Sequence, residues 1–310
     1  MQSKPSAAKT KEPTGIESVT QFLTEIYRLT PSAGVRCFRG EADARWKLMP
    51  SVMRNLRVDA ENNIFSELMA EAPNEFADDR SMFGRLVRAQ HYGLPTRLLD
   101  VSLNPLVALY FACSDEPQME HDGKVLILDF RKTNVRYPDS DTVSLICNLC
   151  RLTDEERREL KTAGLNRKLP DEEFQKLASA ERLAHFVRME KPYFLNKMRS
   201  ADFRKYFFVY PSKANKRVTA QSGAFVAAGL LSYKSTENIV SFQQSVITVP
   251  ASAKPDILKE LDILNINSRS MFPEIEYTSR YIKRKWENER SSNIEDLFGG
   301  IFVNFFEKTN

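Results

Sequence analysis

The segment HYGLPTRLLDVSLNPLVALYFAC, His91 to Cys113, constrains this chain more than any other. A core strand has no use for a histidine, an arginine and an aspartate within ten residues. A solvated loop does not run directly into LVALYFAC. The segment therefore predicts a polar constellation held against the apolar helix that follows it. Gly93 and Pro95 end a preceding helix. TRLLD reads as a strand or a turn. Asn104 is a cap for a helix from Pro105 to Cys113, since proline fits the first helical turn.

The rest of the chain gives that helix something to pack on. Helical spacing of Val19, Phe22, Leu23, Ile26 and Tyr27 predicts a helix from Ser18 to Leu29, with Gln21 at the capping-box position. VRCFRG reads as a strand ending at Gly40, and RWKLMPSVMR as an extended approach to a turn at Pro50. Helices are expected near Glu61–Ala72 and Asp78–His91. GKVLILDF, KYFFVYP, GAFVAAG and QQSVITVP read as strands. From Pro138 to Met198 charge and helical periodicity mark a helical insertion, about 138–200. A helix near Lys254–Leu264 and another after Phe272, through IKRKW, close the pattern, and Leu297–Phe306 is expected to pack back on the domain. This is not a regular βαβ rhythm, and no glycine-rich phosphate loop is present. The expected class is α+β, a mixed or antiparallel sheet with flanking helices, in one domain over 16–310 behind a disordered tail over 1–15.

Composition narrows the function classes. The chain has 310 residues, 42% hydrophobic and 28% charged, with a net charge of +4. That permits an anionic ligand without demanding nucleic acid. No apolar run reaches the roughly 18 residues of a membrane helix, and the first residues lack the apolar stretch of a secretory signal. Four cysteines do not make a disulfide scaffold, and the lone CxxC of Cys147 and Cys150 has no second pair to complete a zinc site. A reducing, cytoplasmic setting is expected, with no metal and no membrane.

Several residues are candidates for chemistry. Arg39, at a strand end before Gly40, can reach a phosphate or carboxylate with a bidentate fork, or pair with a structural carboxylate such as Asp100. Gly40 allows close approach of backbone or ligand. His91 ends a helix and can interact with its last carbonyls, and Tyr92 can stack on a flat ring or fill the core. Arg97 and Asp100 are near enough to pair. Ser102 or Asn104 caps the next helix, whose exposed amides suit an anion. In RVTAQSGAF, Gln221 can hydrogen-bond a ribose or the backbone. Glu274 and Glu276 fit a helix start with no function implied. KRKW, with Trp286, is a basic aromatic face or a solvated one. Ser222 lacks the frame of a nucleophile elbow.

CFRG, the tryptophan and proline of RWKLMPSVMR, QHYGLPTRLLDVSLNPLVALYFA, RVTAQSGAF and SRSMFPEIEYTSRYI together resemble the FRG domain family, over roughly Val35 to Ile282. Val101 stands where the family commonly has an aromatic residue. A more distant similarity is to ADP-ribosyltransferases of the arginine–serine–glutamate type. It implies an ADP-ribosyltransferase-like fold and NAD as substrate. It also implies roles: Arg39 on the pyrophosphate or ribose, His91 and Tyr92 beside the nicotinamide, and Ser102 or Thr96 ordering the arginine or ribose. Gly40 and Arg97 would complete the nucleotide contacts. Gln221 falls where that family has its catalytic glutamate, so Asp100, Glu274 or Glu276 would have to supply the charge. The resemblance implies a bacterial toxin or phage-defence effector with ADP-ribosyltransferase or NAD-glycohydrolase activity and an unidentified protein or nucleic-acid acceptor. The alternatives are a non-catalytic nucleotide- or nucleic-acid-binding module, and a purely structural polar network.

Overall fold

A computed structural model describes residues 15–30, 33–57, 59–166, 168–211, 216–231, 241–275 and 277–283. Most of the N-terminal tail, Glu276, Trp286 and the Leu297–Phe306 segment lie outside the described residues. The strands are β1 (Val35–Glu41), β2 (Leu98–Ser102), β3 (Gly123–Phe130), β4 (Val135–Arg136), β5 (Tyr206–Val209), β6 (Gly223–Ala228) and β7 (Phe242–Val249). They form one seven-stranded sheet in the order β4-β5-β6-β2-β1-β3-β7. Only β4 and β5 pair in parallel, so the sheet is mixed and mostly antiparallel. With helices packed against it, the class is α+β.

The helices before the insertion are α1 (Val19–Arg28), α2 (Ala60–Glu71), α3 (Met82–His91) and α4 (Pro105–Cys113). Their starts follow from capping chemistry. Ser18 accepts from the Gln21 amide at α1, Asn104 from the Leu106 amide at α4, and Ser81 from the Gly84 amide at α3. The last bond moves the start of α3 from the expected Asp78 to Met82, because the chain first makes a short turn at Pro73–Phe76. The stretch from 138 to 198 supplies α5 (Asp141–Asn148), α6 (Asp154–Leu165), α7 (Asp171–Gln175) and α8 (Ala178–Glu190). After it come α9 (Lys216–Ala220), α10 (Lys254–Ile263) and α11 (Ser268–Met271). Residues 277–283 are helical.

The distribution of apolar side chains explains where a site can form. On one face of the sheet a single cluster runs across both halves, from Leu126 and Leu128 of β3 to Val226 of β6. The sheet curls enough for Phe130 of β3 to meet Phe208 of β5, with ring centroids 6.0 Å apart although three strands lie between them. The opposite face is divided. Leu98, Phe207 and Phe225, from β2, β5 and β6, pack under α3, α5, α6 and α8. Phe38, Ile127 and Val249, from β1, β3 and β7, pack under α1, α4 and α10. Two separate cores therefore meet along the line between β1 and β2. There the strands share one registered pair, Phe38 with Ser102, whereas β1 and β3 share seven.

Cys147 and Cys150 are buried within the first of these cores, and burial raises both thiols. Burial also pushes the Cys113 thiol up to about 12. None is a thiolate near neutral pH. Among the described residues, no helix is long and apolar enough to cross a membrane, and no group of His, Cys, Asp or Glu side chains is placed to hold a metal ion.

Candidate functional site

A cleft of about 340 Å³ opens at the seam between β1 and β2. Arg39 lines it from β1, Asp100 and Ser102 from β2, His91 from the end of α3, and Gln221 from the turn before β6. Residues 182 positions apart in the chain thus share one wall, because the topology sets β6 beside β2 and β2 beside β1.

Arg39 bridges the seam. Its Nη1 donates to the Asp100 backbone carbonyl at 2.7 Å, and its Nε donates to Glu41 Oε1 at 3.2 Å. The carboxylate that holds it is therefore Glu41, while Asp100 contributes a carbonyl. Glu41 is 1% exposed and lies two residues along the same strand, so its side chain leaves on the same side as that of Arg39. It also has Lys124 Nζ at 3.3 Å and Arg54 Nη2 at 3.7 Å. One buried carboxylate thus serves three cations, which leaves excess positive charge at the base of β1. The guanidinium of Arg54 is pushed down in pKa by burial and by the nearby Arg39.

Asp100 itself is exposed at the cleft. Its Oδ2 accepts from Gln90 Nε2 at 2.5 Å, and Gln90 Oε1 accepts from Thr96 Oγ1 at 2.6 Å. Thr96 is buried behind this relay and does not line the cleft. Its expected contact with a nucleotide is replaced by an indirect role, orienting Gln90 and through it the Asp100 carboxylate.

The structure places Arg97 elsewhere. It is 0% exposed, and its Nε and Nη2 donate to the two oxygens of Glu61 at 2.7 and 2.6 Å. Its Nη1 donates to the Ala228 carbonyl at 2.8 Å. The expected pairing of Arg97 with Asp100 does not occur: Glu61 takes the Arg97 guanidinium with both oxygens, and the Asp100 carboxylate accepts from Gln90 instead. Arg97 is a buried tie between α2 and β6, remote from the nucleotide contact expected of it. Tyr92 also leaves the cleft. It is 61% exposed, and its hydroxyl donates to Glu75 at 3.1 Å.

Gly40 lines the cleft, but what approaches it is backbone. A Cβ there would stand 1.9 Å from the Ala108 carbonyl oxygen of α4. Ser102 uses its hydroxyl locally, donating to the Gln221 carbonyl at 2.8 Å and accepting from the Asn104 amide at 2.9 Å. It joins the start of α4 to the turn before β6. Gln221 donates through Nε2 to the Met271 carbonyl at 3.0 Å. That bond requires an amide nitrogen, which a glutamate lacks. Ser222 beside it has φ of 46°, in the left-handed region, and Leu103 N donates to its carbonyl.

His91 is held below the ordinary histidine pKa, first by burial and then by the Arg217 charge, with Asp100 and Glu274 opposing. At neutral pH the imidazole is uncharged. Sequence reasoning missed Glu41, Gln90 and Trp46 around this cleft. The i, i+2 spacing of Arg39 and Glu41 was a usable signal for the first. It missed Lys254 as well, a buried lysine of α10 whose Nζ donates to the carbonyls of Ala42 and Gln118 at 2.7 and 2.8 Å, fixing the wall behind β1.

Comparison with known families matches residues 35–121 to the FRG domain. The chain carries an FRG domain. The matched stretch runs from the first residue of β1 past the end of α4, so it contains Arg39, His91, Asp100 and Ser102. The FRG match ends before Gln221 and before the RVTAQSGAF and SRSMFPEIEYTSRYI segments. No curated protein and no solved structure shows significant similarity to the chain.

Proposed function

We propose that the seam cleft of this FRG-domain protein binds the nicotinamide–ribose half of NAD and cleaves its N-glycosidic bond, in the manner of ADP-ribosyltransferases and NAD glycohydrolases. The observation that carries this reading is that Arg39 and Asp100 line one cleft from the two strands of the seam, beside a neutral His91. The cleft volume sits at the small end of the roughly 300–1,000 Å³ range of ligand sites, which suits the reacting half of a dinucleotide. The sequence resemblance to the ADP-ribosyltransferases supports the same class and an ADP-ribosyltransferase-like fold.

The chemistry runs through an oxocarbenium-like ribose. The bond between the anomeric carbon and the nicotinamide nitrogen breaks, and nicotinamide leaves with the electron pair. Asp100 stabilises the positive charge left on the sugar, held in place by Gln90. Water, or an acceptor's nucleophile, adds at that carbon and gives its proton to neutral His91. Arg39 holds the anionic side of the substrate. A chain that consumes NAD in this way would serve as a toxin or phage-defence effector.

Nucleotide binding without turnover is the second reading, and Gln221 favours it. Its amide is committed to Met271, and it brings no charge to the place where the resemblance expects a glutamate. Nicotinamide release by the purified full chain separates the two. Turnover that falls about 100-fold or more in Asp100→Asn, with NAD still bound, is expected. Saturable NAD binding without release, lost in Arg39→Ala, would establish the second reading. Neither binding nor release would remove both.

A further inference from the structure

A second, larger pocket of about 920 Å³ adjoins the first and shares His91 and Arg217 in its wall. It lies between α3, the start of α9 and the 273–280 segment. We infer that it is a binding site for the end of a single-stranded nucleic acid, with cations for phosphates and the exposed Tyr92 ring for a base. The inference stands on this pocket's own residues and not on the NAD reading.

The charge is unbalanced. Arg88, Lys216, Arg217 and Arg280 line the pocket against Asp79 and Glu274. Asp79 is already taken by Arg88, whose Nε donates to it at 2.5 Å. Lys216 and Arg280 are exposed, and neither forms an ion pair with a carboxylate among the described residues. The depressed pKa of His91 in the shared wall reflects Arg217 and Arg88 as well as burial.

The aromatic groups are arranged as planes. Tyr277 stacks on Phe272, with centroids 4.3 Å apart and planes 15° from parallel; Arg217 lies over the Phe272 ring at 4.6 Å and Arg280 over the Tyr277 ring at 5.7 Å, so this stack holds the cations at the pocket edge. Tyr92 presents its ring to solvent at another edge of the pocket. Beyond the lining residues Pro138 and Pro211, their neighbours Tyr137 and Tyr210 stack at 5.4 Å and 21°.

This combination selects the ligand class. Cations alone would serve any polyanion. The exposed Tyr92 ring beside them adds stacking, which a base uses and an acidic side chain does not. Tyr137, exposed and next in the chain to the lining residue Pro138, offers a ring for a second base.

Fluorescence anisotropy of the full chain with fluorescein-labelled five-nucleotide oligoadenylate and oligothymidylate tests this. Saturable binding at low salt is expected, weakened at least tenfold in the double variant Lys216→Ala/Arg280→Ala. Both side chains are exposed, so the fold should tolerate their loss, which circular dichroism checks. The log–log salt slope should become shallower by about 1.4, from two single-strand phosphate contacts of about 0.7 each. Tyr92→Leu should weaken binding while leaving that slope unchanged, whereas Arg39→Ala should leave binding within about twofold. Absence of saturable binding, or binding indifferent to the double variant, would overturn the inference. Displacement by AMP or NAD at concentrations equal to the oligomer would overturn it too, by assigning the pocket to a free nucleotide, and displacement by an acidic peptide would assign it to protein. Loss of NAD turnover with intact oligomer binding would count against the first site alone.

Discussion

Arg39 Nη1 donates a 2.7 Å hydrogen bond to the backbone carbonyl of Asp100, beside the one registered pair that joins β1 to β2. The same guanidinium reaches Glu41 through Nε. A lysine has the charge but no fork, so it cannot make both contacts at once. Arg39→Lys is therefore expected to cost about 1.5–3 kcal/mol of stability, the worth of a charge-assisted hydrogen bond, and to weaken NAD binding at least tenfold. Urea denaturation and calorimetric titration read the two effects separately.

Gly40 carries a different expectation. Its missing side chain lets α4 lie against β1, with no room for a Cβ beside the Ala108 carbonyl. Gly40→Ala must push α4 away from the sheet. A loss of about 1–3 kcal/mol is expected, as for other overpacked sites, with a lowered Tm. A variant as stable as the wild type would mean that α4 accommodates the methyl group.

These two residues show what was legible. CFRG and the segment after His91 could be read as a strand and a capped helix, because proline, asparagine and apolar spacing are local signals. TRLLD could not be settled as a strand. Leu98 and Leu99 are both buried on opposite faces, so no alternation marks it. The five-residue α9 was missed because it is too short for a periodic pattern. Arg97 was read against its nearest acid, since nothing in the sequence points to Glu61, 36 residues upstream. Glu41 was within reach of strand periodicity, whereas the Gln90–Asp100 bond depends on how α3 docks.

Arg97 and Glu61 form a buried bidentate pair, with Arg157 Nη1 a further 3.5 Å from Glu61, and removing Arg97 takes away both short hydrogen bonds to a buried carboxylate. Arg97→Met is expected to destabilise the chain by about 3–5 kcal/mol, measured by chemical denaturation. Nicotinamide release per folded molecule should be unchanged, because Arg97 does not line the cleft. The double variant Arg97→Met/Glu61→Met should recover only part of the loss, because the buried Arg157 then loses the Glu61 carboxylate.

His91 gives a pH dependence with a definite sign. Its folded pKa lies below the ordinary 6.5, so below that value the unfolded chain binds more protons than the folded one. The stability it contributes is complete above pH 6.5 and is lost as pH falls through the depressed folded value. His91→Gln should flatten the stability–pH curve below 6.5 relative to wild type, with little change at pH 8. A curve of unchanged slope would show that His91 does not titrate in this window.

The divided face of the sheet has a consequence for ligand response. One half of the molecule has its core under α3, α5, α6 and α8, the other under α1, α4 and α10, and the cleft lies where they meet. A ligand touching both Arg39 and Asp100 ties together the two helix-covered halves of that face across the seam. Its binding free energy then adds to the cohesion between them as well as to occupancy. Resistance of the seam to proteolysis would report how full the cleft is.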